Sequence, residues 1–216
     1  MSVAIIKAAL GGEIEAQSLR AKKGQLVFHR GDPSDSIYLL VEGEVRSFIP
    51  SSHAESREQT SLLSRGPALL GDRDILAGIS ARESVVCLTP ARFLAWDAEH
   101  LVRGFSESEA LRGVLARDLA TRYARALEQA ALQQAPLPHR LAMLLWALQG
   151  METPSIPLLA ILAGATPKSI TRARAQLRES GVLQASGVDG RELDLSAIEA
   201  MGIDAPGPLF HSLELP

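Results

Sequence analysis

Ile156-Pro-Leu-Leu-Ala-Ile-Leu-Ala-Gly164-Ala-Thr166-Pro-Lys-Ser-Ile170-Thr-Arg172-Ala-Arg-Ala-Gln-Leu177-Arg-Glu-Ser-Gly181 is the stretch whose reading decides the fold. Its first residues predict a short apolar helix, with Pro157 suited to the first turn, where a missing N–H costs nothing. Gly164-Ala165 is then a tight turn. Thr166 offers a hydroxyl N-cap, Pro167 opens the second helix, and Gly181 ends it as a C′ residue would. Helix, Gly-containing turn, helix is the spacing that sets a second helix into the major groove of DNA.

At about 100° per residue, Ile170, Ala173 and Leu177 share one stripe of that second helix and face inward. Lys168, Thr171 and Arg172 face outward, with Ser169 at the side. Lys168, Arg172, Arg174 and Arg178 stand against Glu179 alone, so the helix is locally cationic. Double-stranded DNA is therefore the expected partner. Arg172 is placed for a bidentate contact with guanine, Lys168 for a base or a phosphate, and Thr166, Ser169 and Thr171 for hydroxyl contacts with bases or backbone. A lone helical Arg or Lys is usually only solvated; agreement of turn, cap and charge singles this face out. After it, Val182 to Leu195 predicts two short strands joined at Asp189-Gly190, a wing whose Arg191 either touches phosphate or is solvated.

Upstream, Arg140 to Leu148 carries Leu141, Leu144, Leu145 and Leu148 on one helical stripe, and Pro136-Leu-Pro138 separates it from what precedes. From Ser108 to Gln134 a helix of about 27 residues, ~40 Å long, is expected. Leu111, Leu115, Leu119, Tyr123 and Leu127 form its apolar seam. Such a length exceeds what one small domain can cover, so the seam is read as pairing with a second copy in a homodimer.

Between Gln25 and Val86 short strand-like runs alternate with Gly, Pro, Asp and Ser clusters, the pattern of an antiparallel sandwich or barrel. Gly31-Asp-Pro-Ser-Asp35 is a turn, and Glu42-Gly-Glu44 is read as a hairpin turn with Gly43 at positive φ. A change of period comes after Pro90, ahead of the long helix from Ser108. The expected class is α+β, with domains at 1–107, 108–135 and 136–216.

The chain has 216 residues, is 46% hydrophobic and carries a formal charge of −3, which excludes a globally basic coat for nucleic acid. Neither a membrane span nor a signal peptide is indicated, so a cytoplasmic protein is expected. The single cysteine, Cys87, sits in an apolar run and is read as a buried thiol; one thiol cannot hold an iron–sulfur cluster. His29, His53, His100, His139 and His211 show no spacing that singles out a haem or metal ligand, and a surface role is the default. No phosphate loop, nucleophile elbow or paired carboxylates point to an enzyme, and no cofactor is expected.

Barrel, long helix, hinge and winged helix-turn-helix in this order resemble the family of the cyclic-AMP receptor protein and the fumarate-nitrate regulator. The resemblance spans about residues 20 to 200. It rests on Phe28-His-Arg-Gly-Asp32, Ile37 to Val45, Leu70-Gly-Asp72 with Arg82, Leu162-Ala-Gly164, Ile170-Thr-Arg172 and Leu177 to Val182. It implies a cyclic-nucleotide-binding-like β-roll (jelly roll), a dimerising helix, a palindromic operator and contact with RNA polymerase in a bacterial cytoplasm. It also implies an effector pocket at Gly71, Asp72, Arg82, Glu83 and Ser84. That pocket departs from the nucleotide-binding pattern: Asp72 is one methylene shorter than the usual Glu, Glu83 brings a negative charge toward the phosphate position, and Ala126 and Leu127 stand where polar adenine partners would be. The expectation is a regulator independent of cyclic AMP, with another small effector or none; a cyclic-nucleotide response is the alternative. Pro167, Lys168 and Arg174 also depart from the best-known operator readers, which points to a different target sequence.

Overall fold

The computed structural model describes residues 2–50, 59–148, 155–184, 192–202 and 211–213. The chain forms two compact units, one of residues 1–126 with 210–216 and one of residues 127–209.

The first unit is a two-sheet roll flanked by helices. Strands β1 (Gln17–Ala21), β8 (Ala91–Asp97), β3 (Ser36–Glu42) and β6 (Ala68–Leu70) make one antiparallel sheet in that spatial order. Strands β2 (Leu26–Phe28), β7 (Ser84–Cys87), β4 (Glu44–Ile49) and β5 (Gln59–Arg65) make the other. The unbroken apolar run of β3 follows from burial on both faces, which removes the alternation of a half-wet strand. Leu40 belongs to a cluster with Val45, Val85 and Phe93, and Tyr38 packs against it from its edge. Ile37 and Leu39 face a second cluster supplied by helices α1 (Ser2–Ala9), α3 (Ala98–Glu107) and α4 (Glu109–Gln133) through Ile6, Leu101 and Leu111.

Three expectations change here. The strands are not confined to residues 25–86: β1 precedes that span, and β8 follows Pro90, where the sequence marked only a change of period. Glu42-Gly-Glu44 is not a hairpin, because β3 and β4 lie in different sheets. Gly43, at φ 103°, is the corner where the chain changes sheet. A Cβ there would lie 2.7 Å from the Pro90 carbonyl oxygen, so only glycine passes. Finally, Leu111 and Leu115 are fully buried in the core of their own unit and cannot belong to a seam between copies. The free part of the expected seam begins lower, with Tyr123 at 67% and Leu127 at 54% exposure and Leu119 half-buried.

In the second unit, helices α5 (Leu137–Ala147), α6 (Ile156–Leu162) and α7 (Pro167–Glu179) pack together, and the two-residue strands β9 (Leu183–Gln184) and β10 (Glu192–Leu193) pair before helix α8 (Leu195–Ala200). Leu141, Leu159, Ile170, Leu177 and Ile198 are each essentially inaccessible and form its centre. The joining turn at Asp189-Gly190, and Arg191 with it, lies outside the described residues.

The end of the chain departs from the expected 136–216 domain. Residues 211–213 lie with the first unit. His211 pairs in parallel with Ser64, its amide donating to the Leu63 carbonyl at 2.7 Å and its carbonyl accepting from Arg65 N at 2.8 Å. Leu213 is buried in the same cluster as Leu39 and Leu111.

Candidate nucleic-acid interface and effector pocket

The α7 face is built by its cap. Thr166, in extended conformation, accepts from the Ser169 amide at 2.9 Å, and the two hydroxyls meet at 2.7 Å. This satisfies an amide that a helix start leaves without an intrahelical partner and fixes where the helix begins. Ser155 caps α6 in the same way, through the Leu158 amide. Ile170, Ala173 and Leu177 are then buried as the spacing predicts. Lys168, Thr171 and Arg172 are exposed, whereas Ser169 and Arg174 are half-buried. The Thr171 hydroxyl donates to the Pro167 carbonyl at 3.0 Å, which orients it along the helix. Thr166 and Ser169 are therefore engaged in capping, and the free outward chemistry concentrates on Lys168 and Arg172.

The expected effector pocket exists as a place but not with the expected chemistry. Gly71, at φ 86°, turns the chain from β6 into the short helix α2 (Asp72–Ala77). Lining it are Phe28, Ser47, Asp72, Arg73, Glu83 and Arg122 among others. The free space is about 10 Å³, the scale of a single water.

What fills it comes from α4. Arg122 reaches in and forms a tight ion pair with Asp72, whose side chain is fully buried, and a second with Asp118 at 2.8 Å. Burial disfavours the guanidinium charge, but the carboxylates of Asp72 and Asp118 outweigh it and hold the Arg122 pKa above its ordinary value. Asp118 Oδ1 in turn lies 2.8 Å from His211 Nε2, and Arg125 Nη1 lies 3.3 Å from His211 Nδ1. His211 is 2% exposed, so its expected surface role is overturned.

Around the rim, Arg73 clamps Asp74 at 2.9 and 3.2 Å and approaches Glu83 at 3.7 Å, while Ser61 donates to Glu83 at 2.5 Å. For Arg73, burial again opposes charge, and the Asp74 hydrogen bond with the nearby Glu83 raises its pKa despite it. Arg82, expected to cradle a phosphate, has an exposed side chain; only its amide is used, donating to Asp74 Oδ2 at 3.0 Å. Ser84 is 2% exposed and its hydroxyl already accepts from the Arg30 amide at 2.9 Å. Glu83 thus lines the pocket and pairs with Arg73 and Ser61. As placed, Arg122, Asp72 and Glu83 occupy the space that the implied pocket would offer a ligand.

Residue-by-residue reasoning missed Arg122, Asp118 and His211. A signal was present in Asp118 and Arg122 at i, i+4 on a long helix, but nothing local says that their partner is Asp72, 50 residues away. Among the described residues no group of three or more His, Cys, Asp or Glu could hold a metal, and no helix is long and apolar enough to cross a membrane.

Residues 18–108 match the cyclic nucleotide-binding domain family. The chain is 25% identical over 191 residues to the global nitrogen regulator of Synechococcus elongatus, covering 80% of this chain and 83% of that one. The fold is similar to that of the c-di-GMP-responsive global regulator CLP of Xanthomonas campestris, with TM-score 0.71 and 21% identity over 86% of this chain and 96% of that one. It is similar also to FixK2 of Bradyrhizobium japonicum, with TM-score 0.70 and 20% identity over 88% of this chain and 99% of that one.

Proposed function

We propose that this chain, with its cyclic nucleotide-binding domain and the fold of the CRP/FNR-family regulators, is a homodimeric, sequence-specific DNA-binding transcription regulator that works without cyclic AMP. The observation that carries the DNA-binding part is α7: a capped helix whose buried stripe of Ile170, Ala173 and Leu177 leaves Lys168 and Arg172 outward on a short helix pair followed by a β-ladder. That is the arrangement of a winged helix-turn-helix, with α7 as the reading helix. Arg172 reads a guanine, Lys168 and Thr171 contact bases or phosphates, Thr166 and Ser169 fix the helix start against the backbone, and Arg191 on the wing adds a phosphate contact. Leu119, Tyr123 and Leu127 on α4 supply the seam with the second copy, which places two reading helices on a palindromic operator. RNA polymerase is the downstream partner, and no catalytic step is assigned.

Independence from cyclic AMP rests on Arg122, Asp72 and Glu83 filling the pocket from within. A cyclic-nucleotide response is the second reading, favoured by the domain match. Selection from a random duplex pool tests the first: a palindromic sequence should be enriched, and no enrichment would overturn it. Calorimetric titration with cyclic AMP and cyclic di-GMP separates the two readings, because micromolar heats from either would show that Arg122 and Glu83 give way to a nucleotide.

A further inference from the structure

Three observations meet at the end of the chain. Residues 211–213 leave the second unit's stretch of sequence and dock on the first, extending the edge strand β5 through amide–carbonyl bonds: His211 N to Leu63 O, Arg65 N to His211 O, and Leu213 N to Pro67 O at 2.7 Å. His211 and Leu213 are 2% and 5% exposed, so the docking is a packed one and not a surface brush. And His211 does not end in apolar contacts; it touches the charged chain that fills the effector pocket.

The roles of the ring atoms follow from valence. A guanidinium has donors and no acceptor, so Arg125 donates to Nδ1 of His211, which must be the unprotonated nitrogen. The ring proton then sits on Nε2 and is donated to Asp118 Oδ1. Asp118, 6% exposed, is thereby oriented to present its other oxygen to Arg122, whose guanidinium it shares with Asp72. In a dry site each of these groups is costly unless its partner stays in place, so loss of one is felt along the row.

We infer that the C-terminal segment around His211 is a built-in effector: seated on β5, it holds Asp118, and through it Arg122, in the pocket beside Asp72. The inference rests on the regulator reading above and names how that pocket is set. In a ligand-gated barrel the signal enters the pocket from solution. Here the filling group comes from α4 and is steadied by residues 211–213. His211 is a positioning residue, since it touches Asp118 and not the pocket itself.

The test uses the full-length chain and the duplex obtained by selection. H211L keeps the volume of the side chain but has no donor for Asp118 and no acceptor for Arg125. L213A loosens the docking without touching the polar row, and H211Q restores one donor and one acceptor on a chain of similar reach. Amide exchange is followed at residues 71–77 and 117–125, and duplex affinity at fixed salt. H211L and L213A should each speed exchange in both stretches and weaken the duplex complex about tenfold, inside the usual range for coupling between sites, and H211Q should recover most of both. If exchange rises only at residues 63–67 and 211–213 while the pocket, α4 and duplex affinity are unchanged, the segment is a mere cover for the β5 edge and the inference fails. Failure of the unmodified chain to select any duplex would instead sink the regulator reading, and the exchange measurement would still decide whether the tail sets the pocket.

Discussion

At the scale of single residues, the deciding group is Asp72. Its carboxylate is 0% exposed and faces Arg122, itself mostly buried, so the Asp72 charge has no water to fall back on. Replacing Asp72 by Asn removes the compensating charge and leaves Arg122 in a dry pocket with Asp118 alone. Removal of one partner from a buried pair costs about 3 to 5 kcal/mol, so denaturant unfolding of D72N should show a loss of that size with an unchanged slope. A loss below about 1 kcal/mol would mean that Arg122 swings out to solvent. The sign with pH is fixed by the direction of the Arg122 shift. A folded pKa held above the ordinary guanidinium value contributes stability at all lower pH and loses it only as pH rises through the still higher folded value, so this guanidinium imposes no pH dependence in the neutral range. Cys87 gives a second residue-scale expectation. Burial pushes its thiol pKa up from the ordinary 9.0, which makes thiolate scarcer at any given pH, and its surroundings are Leu40, Val45 and Phe93. Alkylation by iodoacetamide at pH 8 should be slow in the folded chain and fast in denaturant; equal rates would contradict the burial.

At the scale of elements, α4 is buried at its start and exposed further along, and periodicity alone could not divide the two stretches. Leu111, Leu115, Leu119, Tyr123 and Leu127 follow one another at steps of four and look equivalent in sequence. The roll covers the first two and leaves the last two open. Sequence therefore showed the helix but not which of its apolar residues its own unit covers, because that depends on α1, α3 and Leu213 closing over Leu111 and Leu115. The same limit explains Gly43, a turn by composition and a sheet corner in fact, since pairing partners are set by β8 and β5 far along the chain. By contrast α7 was legible to the residue: a cap, a proline and a three-residue stripe are local, and Thr166, Pro167, Ile170, Ala173 and Leu177 take the expected places. The division of α4 is testable. L115A should cost about 2 to 5 kcal/mol of unfolding free energy while leaving the association equilibrium untouched. Tyr123→Glu together with Leu127→Glu should leave the fold intact and push sedimentation toward monomer. The opposite assignment would return the upper leucines to the seam between copies.

At the scale of the whole molecule, a net charge of −3 means that, under the proposed function, attraction to DNA has to come from the local cationic face of α7 and not from the average surface. That makes the salt dependence diagnostic. If the proposed dimer forms, two α7 helices, each bringing Lys168, its neighbouring cations and main-chain amides to the backbone, would make about six phosphate contacts. Counterion release then gives a slope of about −5 in log K against log salt. Lys168→Ala acts once per copy, so if it neutralises a phosphate the slope should flatten by about 2 and all sequences should lose affinity alike. Arg172→Ala should behave differently: a cost of about 1 to 3 kcal/mol per half-site on the selected sequence, little on others, and a relaxed preference at one symmetric pair of positions. In the proposed symmetric dimer the two half-sites should also keep a fixed separation, one turn of about 10 base pairs or a multiple. A shallow slope that Lys168→Ala does not change would place the contacts elsewhere on the molecule. Equal losses on every duplex from both variants would reduce α7 to a phosphate clamp and leave base reading to residues beyond it.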